Sequence, residues 1–225
     1  MTALLLDNLP YLLWGAYPNG PLGGAALTLL LAAGSAVASA VLGVAGGVGL
    51  ALATPRVQRA LLLAIAFLRA IPVLMLIFWT YFLLPYAFGI SVPGVLSVMC
   101  ALSLVGAAYL AHAVLAGIRA VGAGQWAAGL SLGMTRWEAL RHVVLPQALR
   151  MMMPSFVNQW VTLVKDSSLA YVVGVGELSF VAAQVNARTM VYPAEIFMLV
   201  GALYWLMCLG VDRGASRLMR RVQGS

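Results

Sequence analysis

Charged positions divide the chain into long apolar runs. None falls between Asp7 and Arg56, and only Arg69 interrupts the run from Ala60 to Arg119. A helix needs about 20 apolar residues to cross a bilayer, so Leu22–Ala53 holds one span with length to spare. Pro18 and Pro21 mark its start. Gly43, Gly46, Gly47 and Gly49 thin its second half, as expected where helices pack closely in lipid. The run after Arg59 has room for two spans, and Pro85, Gly89, Pro93 and Gly94 supply the turn between them. This places a second span over Ala60–Leu84 and a third over Val95–Ile118. A polar stretch over 119–148 follows. A fourth span covers Leu149–Val175, and the mixed stretch Gly176–Tyr192 after it can dip back into the membrane. A fifth span covers Ala194–Val211 and leads into a basic tail of Arg213, Arg217, Arg220 and Arg221. The pattern predicts an all-α integral membrane protein: one domain over 1–225 with about five transmembrane helices.

Composition agrees with that class. The 225 residues are 63% apolar and only 8% charged, against about 25% charged in a soluble domain. Such a chain cannot keep a water-facing surface solvated, and its solvent is lipid. The net charge of +7 does not point to nucleic acid, because the basic residues are spread over short loops rather than massed on one face. Cys100 and Cys208 sit in apolar runs and read as small buried hydrophobes. No disulfide framework or metal-binding spacing is present. The N-terminus does not read as a cleavable signal: its first charge is Asp7 and the following apolar run is too long, so the first span is expected to be retained.

Five spans put the two ends on opposite sides. Arg56, Arg59, Arg119, Arg136, Arg141, Arg150 and the four tail arginines fall on one side, and only Arg188 on the other. The positive-inside rule therefore predicts an outside N-terminus, a cytoplasmic C-terminus and a cytoplasmic polar stretch.

Arg69, Lys165 and Asp166 fall inside predicted spans, away from the ends where Arg150 and Glu195 stand. Each costs about 2.5–3.5 kcal/mol at a helix centre on insertion scales, so each needs a partner or a wet cavity. Lys165 or Arg69 paired with Asp166 would fix helix packing; the other reading is a polar lining of a substrate path. Arg69 stands one turn before Pro72, which removes a backbone hydrogen bond and kinks the helix, as in helices that line transporter cavities. His112, near Tyr109 in span three, reads as a packing residue or a ligand contact. Asn158, Gln159 and Thr162 are spaced to share a helix face with Lys165 or Asp166, although interhelical hydrogen bonding is a competing role.

Between spans three and four, Gly124 to Pro146 reads GQWAAGLSLGMTRWEALRHVVLP. Trp126, Leu130, Trp137, Leu140 and Val144 supply apolar knobs at mostly helical spacings, rimmed by Arg136, Glu138 and Arg141. Gly133 allows a bend between two short helices, and Pro146 reads as a stop before span four. Apolar anchors ringed by charge make a docking surface. An amphipathic helix lying on the membrane fits the periodicity equally well.

The spacing of this stretch resembles the signature of membrane subunits of ATP-binding-cassette importers. That signature is an acidic-Ala-Ala start, a glycine, nine free positions, then an aliphatic residue, any residue and Leu-Pro. Here it reads Ala127-Ala128-Gly129, Gly133 and Val143-Val144-Leu145-Pro146. Arg69-Ala70-Ile71-Pro72, Ala107-Ala108-Tyr109-Leu110, Gly124-Gln125-Trp126, Leu145-Pro146-Gln147-Ala148 and Lys165-Asp166-Ser167-Ser168-Leu169 look like the polar amino acid permeases of that family (the histidine, glutamine and glutamate type). The likeness runs from about Leu22 to the C-terminus. It implies that the stretch is a coupling helix docked on a separate ATPase, through Gln125, Trp126, Ala127, Ala128, Gly129, Gly133, Arg136, Trp137, Leu145 and Pro146. It implies a substrate path past Arg69, Pro72, His112, Asn158, Lys165, Asp166, Ser167 and Ser168. Two positions depart from the family: Ala127 replaces the leading glutamate, and His112 stands where an acidic residue is common.

The resemblance implies the membrane subunit of an ATP-driven amino acid importer in a bacterial cytoplasmic membrane. Its partners would be an ATPase dimer, a second permease subunit (identical or sister), an extracytoplasmic binding protein and lipid. No Gly-x4-Gly-Lys-Ser/Thr motif occurs, so ATP is expected to be used by the partner, with no cofactor on this chain. Arg69 and Lys165, with few acidic groups, tilt the substrate toward glutamate or aspartate. The alternative is an ion-coupled transporter or channel that uses Lys165 and Asp166 as a relay. A membrane enzyme is disfavoured by the lack of any catalytic set at suitable spacing.

Overall fold

A computed structural model describes residues 2–223, with side chains described over 7–217; residues 1, 224 and 225 of the expected single domain lie outside the described residues. Regular structure in the described residues is helical, with two isolated β-bridges. α1 covers Thr2–Trp14, α2 Gly24–Leu52, α3 Pro55–Ala70 and α4 Val73–Phe78. A π-helical turn, Trp79–Leu83, leads into α5, Leu84–Phe88; α6 then covers Gly94–Ala120. α7 is Ala123–Ser131 and α8 is Arg136–Ala139. A second π-helical turn, Leu140–Val144, runs directly into α9, Leu145–Asp166. A 3-10 helix, Ser167–Val173, precedes α10 (Leu178–Thr189) and α11 (Pro193–Gln223).

The centre of the bundle is the α2–α6 pair. Ser35, Ser39, Gly43 and Gly47 recur every four residues on the buried face of α2, one ridge of small side chains. A Cβ on Gly43 would lie 2.5 Å from Leu110 Cβ, and one on Gly106 would lie 2.7 Å from Ser39 Cβ. In lipid, where apolar surface has no water to escape, such close approach supplies the dispersion contacts that hold helices together. Gly46 and Gly49 play a smaller part: the former has only the Ala111 Cβ at 3.1 Å and the latter has nothing within 4 Å.

Around this pair sit three apolar clusters. The first half of α6 packs Val98, Ala101 and Leu102 against Leu27, Leu31, Ile77 and Leu163. Its second half packs Leu110, Val114 and Ile118 against Leu140, Val144, Met152 and Phe156. The third cluster joins Leu12 of α1, Leu178 and Val185 of α10, and Ile196 and Val200 of α11.

Among the described residues three helices, α2, α6 and α11 over Pro193–Arg217, are long and apolar enough to cross a membrane. Spans one, three and five of the sequence fall on them. The second span is not one continuous helix. Pro55–Ala70 and Val73–Phe88 meet at 100° across Ile71-Pro72, so the kink expected at Pro72 is a full break. Counted as one crossing, this pair raises the number to four. The predicted fourth span, 149–175, falls on α9 and the 3-10 helix. It does not meet the same measure, because Arg150, Asn158, Gln159, Lys165 and Asp166 lower its hydropathy.

Further boundaries differ. α1 has no counterpart among the predicted elements, and Gly176–Tyr192 holds the helix α10. The stretch expected as a basic tail continues α11, so Arg213 and Arg217 are helical; the side chains of Arg220 and Arg221 lie outside the described residues. Pro146 does not stop a helix. It directly follows the π-helical turn Leu140–Val144, where the backbone ladder is already irregular and can take a residue without an N–H, and helical backbone is continuous from Arg136 to Asp166.

Candidate functional site

The polar stretch folds as two short helices around a left-handed glycine. Gly133 has φ 84°; its N–H donates to Leu130 O at 3.0 Å, and the Met134 N–H donates to Gly129 O at 3.2 Å. These two bonds form a Schellman C-cap on α7, which requires a left-handed residue at this position and so selects glycine. α8 then starts with a capping box. Thr135 Oγ1 accepts from the Glu138 N–H at 3.3 Å, and Glu138 Oε2 accepts from the Thr135 N–H at 2.8 Å. The same hydrogen bonds hold the Glu138 carboxyl below its ordinary pKa, the backbone N–H of Thr135 contributing most.

This segment faces two ways. Leu140 and Val144 are fully buried in the second cluster, and Trp126 is half-buried against it. Of the five knobs expected on the docking face, these three therefore turn inward, because the π-helical turn carries 140 and 144 onto the bundle side. Leu130 and Trp137 remain exposed, each at 48%, and Leu132, unremarked in the sequence, is exposed at 79%. Gly129 is buried where α7 crosses α8, and a Cβ there would lie 3.1 Å from Ala139 Cβ. Gln125, Ala127, Ala128, Gly133 and Arg136 are exposed, Leu145 is half-buried and Pro146 is exposed. Gln147 Nε2 donates to Gln125 Oε1 at 3.2 Å and ties the start of α7 to α9.

The intramembrane set is divided by the fold. Asn158 and Thr162 on α9 line two adjoining cavities. One, about 250 Å³, also touches Tyr109, Ser155 and Gln159. The other, about 380 Å³, also touches Lys165, Trp205, Cys208 and Asp212. Arg69 lies over the Tyr109 ring at 4.7 Å from its centroid, a cation–π contact that offsets part of the cost of its charge. Arg69, Asn158 and Lys165 thus belong to one polar strip.

The other predicted path residues do not line it. Asp166 is half-buried and, one position along the helix from Lys165, points elsewhere. Ser167 is fully buried, with its Oγ donating to Val164 O at 2.8 Å; Ser168 is half-buried; Pro72 marks the break; His112 is exposed on α6 outside both cavities.

Two residues that the sequence did not single out take prominent positions. Asp212 shares a cavity with Lys165; it falls between the fifth span and the basic tail. Glu177 is fully buried at the start of α10. Its carboxylate accepts from the Ser179 and Phe180 N–H groups at 2.9 Å each, from Tyr204 Oη at 2.7 Å and from Thr28 Oγ1 at 3.5 Å. It therefore caps α10 and joins α2 to α11. A lone acid just before an apolar helical run was the available signal.

The residues 41–224 match the family model described as "Binding-protein-dependent transport system inner membrane component". The chain belongs to this family. Among its relatives, the glutamine transport system permease protein GlnP of Escherichia coli strain K12 is 32% identical, with 81% of this chain and 87% of GlnP covered. The glutamate/aspartate import permease protein GltK of Escherichia coli O6:H1 strain CFT073 is 32% identical, with 68% and 71% covered. In three dimensions, the chain is similar to a solved amino acid ABC transporter crystallised with histidines, with a TM-score of 0.77 and 27% identity over 88% of this chain and 92% of that one.

Proposed function

We propose that this chain is the membrane subunit of an ATP-driven amino acid importer of a bacterial cytoplasmic membrane, its N-terminus outside and its C-terminus in the cytoplasm. The observation that carries this reading is the segment 123–144. It is anchored to the bundle through Leu140 and Val144, held in shape by the Gly133 turn and the Thr135–Glu138 box, and presents Leu130, Leu132 and Trp137 outward. That is a pre-organised docking element. It would seat on a separate ATPase dimer, which binds and hydrolyses the ATP. A second permease subunit would complete the path, and an external binding protein would deliver the substrate. With Ala127 in place of the usual glutamate, the grip rests on the exposed apolar residues, Gly133 and Arg136.

Closure of the ATPase would move the segment as a rigid body and rock the bundle between inward- and outward-open states. The substrate would pass the strip of Arg69 and Tyr109, Asn158 and Thr162, and Lys165 and Asp212. An acidic amino acid carries two carboxylates and one ammonium; the strip carries two cations and one carboxylate. This complementarity supports glutamate or aspartate as the substrate. A relay through Lys165 and Asp166 in an ion-coupled transporter has less support, because only Lys165 lines the strip.

The test is reconstitution with the cognate ATPase and binding protein. Uptake should require ATP hydrolysis and prefer glutamate or aspartate over glutamine, arginine and histidine. Uptake without ATP hydrolysis would overturn the importer reading; preference for a basic amino acid would overturn the charge argument alone.

A further inference from the structure

A third cavity lies apart from the polar strip, at the end of the bundle that carries the docking segment. Its volume is about 450 Å³. Three parts of the chain line it: the end of α2 and the start of α3 with Gln58, the end of α6 with Arg119, and the docking segment with Ala123, Trp126 and Arg136. Gln58 is already engaged, its Nε2 donating to Leu50 O at 2.9 Å. No carboxylate lines the cavity, and the nearby Glu138 is occupied by Thr135.

The positive-inside rule explains why arginines stand at this end of the bundle. It does not explain why two of them, from different elements, converge on one cavity. Two guanidinium groups that share a concave, partly apolar site repel each other and raise its positive potential. A guanidinium fork matches the oxygens of a phosphate group, and Trp126, whose indole carries a donor N–H, lines the same cavity. We propose that this cavity is an anion site for a phosphate group, and that its occupant bridges Arg119 on α6 to Arg136 on the docking segment. Occupancy then stiffens the attachment of the docking segment to the bundle. A phosphate of this kind comes either from an anionic lipid headgroup or from a small anion in the cytoplasm. The site is independent of which amino acid is carried.

The test uses the full chain in nanodiscs, with hydrogen exchange measured over residues 119–140. One arm compares phosphatidylcholine discs with discs containing phosphatidylglycerol. The other adds inorganic phosphate to phosphatidylcholine discs, with chloride matched for ionic strength. Slower exchange over 119–140 is expected in one arm, which identifies the source. Two variants check the site. Arg119→Gln removes one of two charge-assisted contacts and should raise the half-saturating concentration at least about tenfold. Ala123→Glu places a carboxylate in the lining at the first residue of α7, where a helix tolerates it, and should abolish the effect; it serves if Arg119→Gln fails to insert. Protection in neither arm overturns the proposal. Equal protection in wild type and Ala123→Glu also overturns it, since the anion would then act elsewhere. Neither result bears on ATP-driven uptake.

Discussion

Substitution of Gly133 separates the shape of the docking segment from what it docks against. At φ 84° any side chain occupies the left-handed region, which costs about 1–2 kcal/mol for residues other than glycine and less for asparagine or aspartate. No atom lies within 4 Å of a Cβ built there, so strain is the only local penalty. Against it stands the burial of Leu140 and Val144, both fully buried and worth about 1.5–3 kcal/mol each. The anchoring exceeds the strain, so the segment keeps its fold in Gly133→Ala, Gly133→Asn and Gly133→Asp alike. What differs is charge. In the proposed complex, Gly133→Asp brings an unpaired carboxylate against a partner surface between Leu132 and Met134, where desolvation is expensive. The assay is ATP-dependent uptake in proteoliposomes with the ATPase and binding protein, scored beside the amount of inserted chain. Gly133→Asn should stay near wild type, Gly133→Ala should fall only a few-fold, and Gly133→Asp should lose about tenfold or more at equal insertion. Wild-type uptake in Gly133→Asp would refute the docking assignment. A larger loss in Gly133→Ala, with Gly133→Asn and Gly133→Asp equal to each other, would show that strain, not docking, sets the defect.

Asp212→Asn should raise the half-saturating substrate concentration about tenfold or more, the value of one charge-assisted hydrogen bond, with inserted protein unchanged; an unaltered uptake curve would remove Asp212 from the path. Glu177→Ala strips the cap from α10 and leaves the Tyr204 hydroxyl without its 2.7 Å partner, a loss of about 2–4 kcal/mol that should appear as a lower melting temperature in detergent. Gly43→Val should destabilise the bundle by about 1–3 kcal/mol through overpacking against Leu110, while Gly49→Ala, with open space around it, should melt at or slightly above the wild-type temperature. Glu138 has a depressed pKa, so its contribution is complete above the ordinary 4.5 and is lost as pH falls through the lower folded value. Amide exchange at Thr135 and Glu138 should therefore speed up only in acid, after correction for intrinsic rates, and that acid step should vanish in Glu138→Gln.

The sequence carried the spans that apolar length alone decides. α2, α6 and α11 each fall where an uninterrupted run predicts them, and the small-residue face of α2 was visible as a glycine-rich half. The segments that escaped are those where tertiary packing overrules local pattern. Pro72 signals a defect in any helix, but a 100° turn depends on what Val73–Phe88 packs against. Leu140 and Val144 have the spacing of an exposed stripe on an α-helix; the π-helical turn beneath them rotates that stripe onto the bundle. Asp212 escaped notice at the edge of a span, because Lys165, which lines the same cavity, is far away in sequence. Likewise, adjacency suggested Lys165 with Asp166, although neighbours on a helix point about 100° apart.

The same continuity that overrules Pro146 as a helix stop gives the proposed coupling a mechanical route. Helical backbone runs unbroken from Arg136, at the proposed docking face, to Asp166. Asn158 lies 22 positions beyond Arg136, about 33 Å at 1.5 Å per residue, so one element spans docking face and polar strip. Its lower half is clamped to α6 through Leu140, Val144, Ala148, Met152 and Phe156, and a Cβ on Gly117 would strike the Met152 side chain. A push at Trp137 or Leu132 therefore cannot be absorbed by a flexible loop between helix and strip. It must either move α9 with α6 or be taken up at the π-helical turn, where the backbone ladder is irregular. Removing one residue from Leu140–Val144 would restore an α-helical register and rotate 123–139 by about 100° relative to α9. The Leu130–Trp137 face would then leave the docking plane while Asn158, Thr162 and Lys165 stayed in place. Such a deletion should abolish ATP-driven uptake and leave the polar strip accessible to cysteine labelling at position 162; retained uptake would mean that α9 does not transmit the motion as a rigid lever.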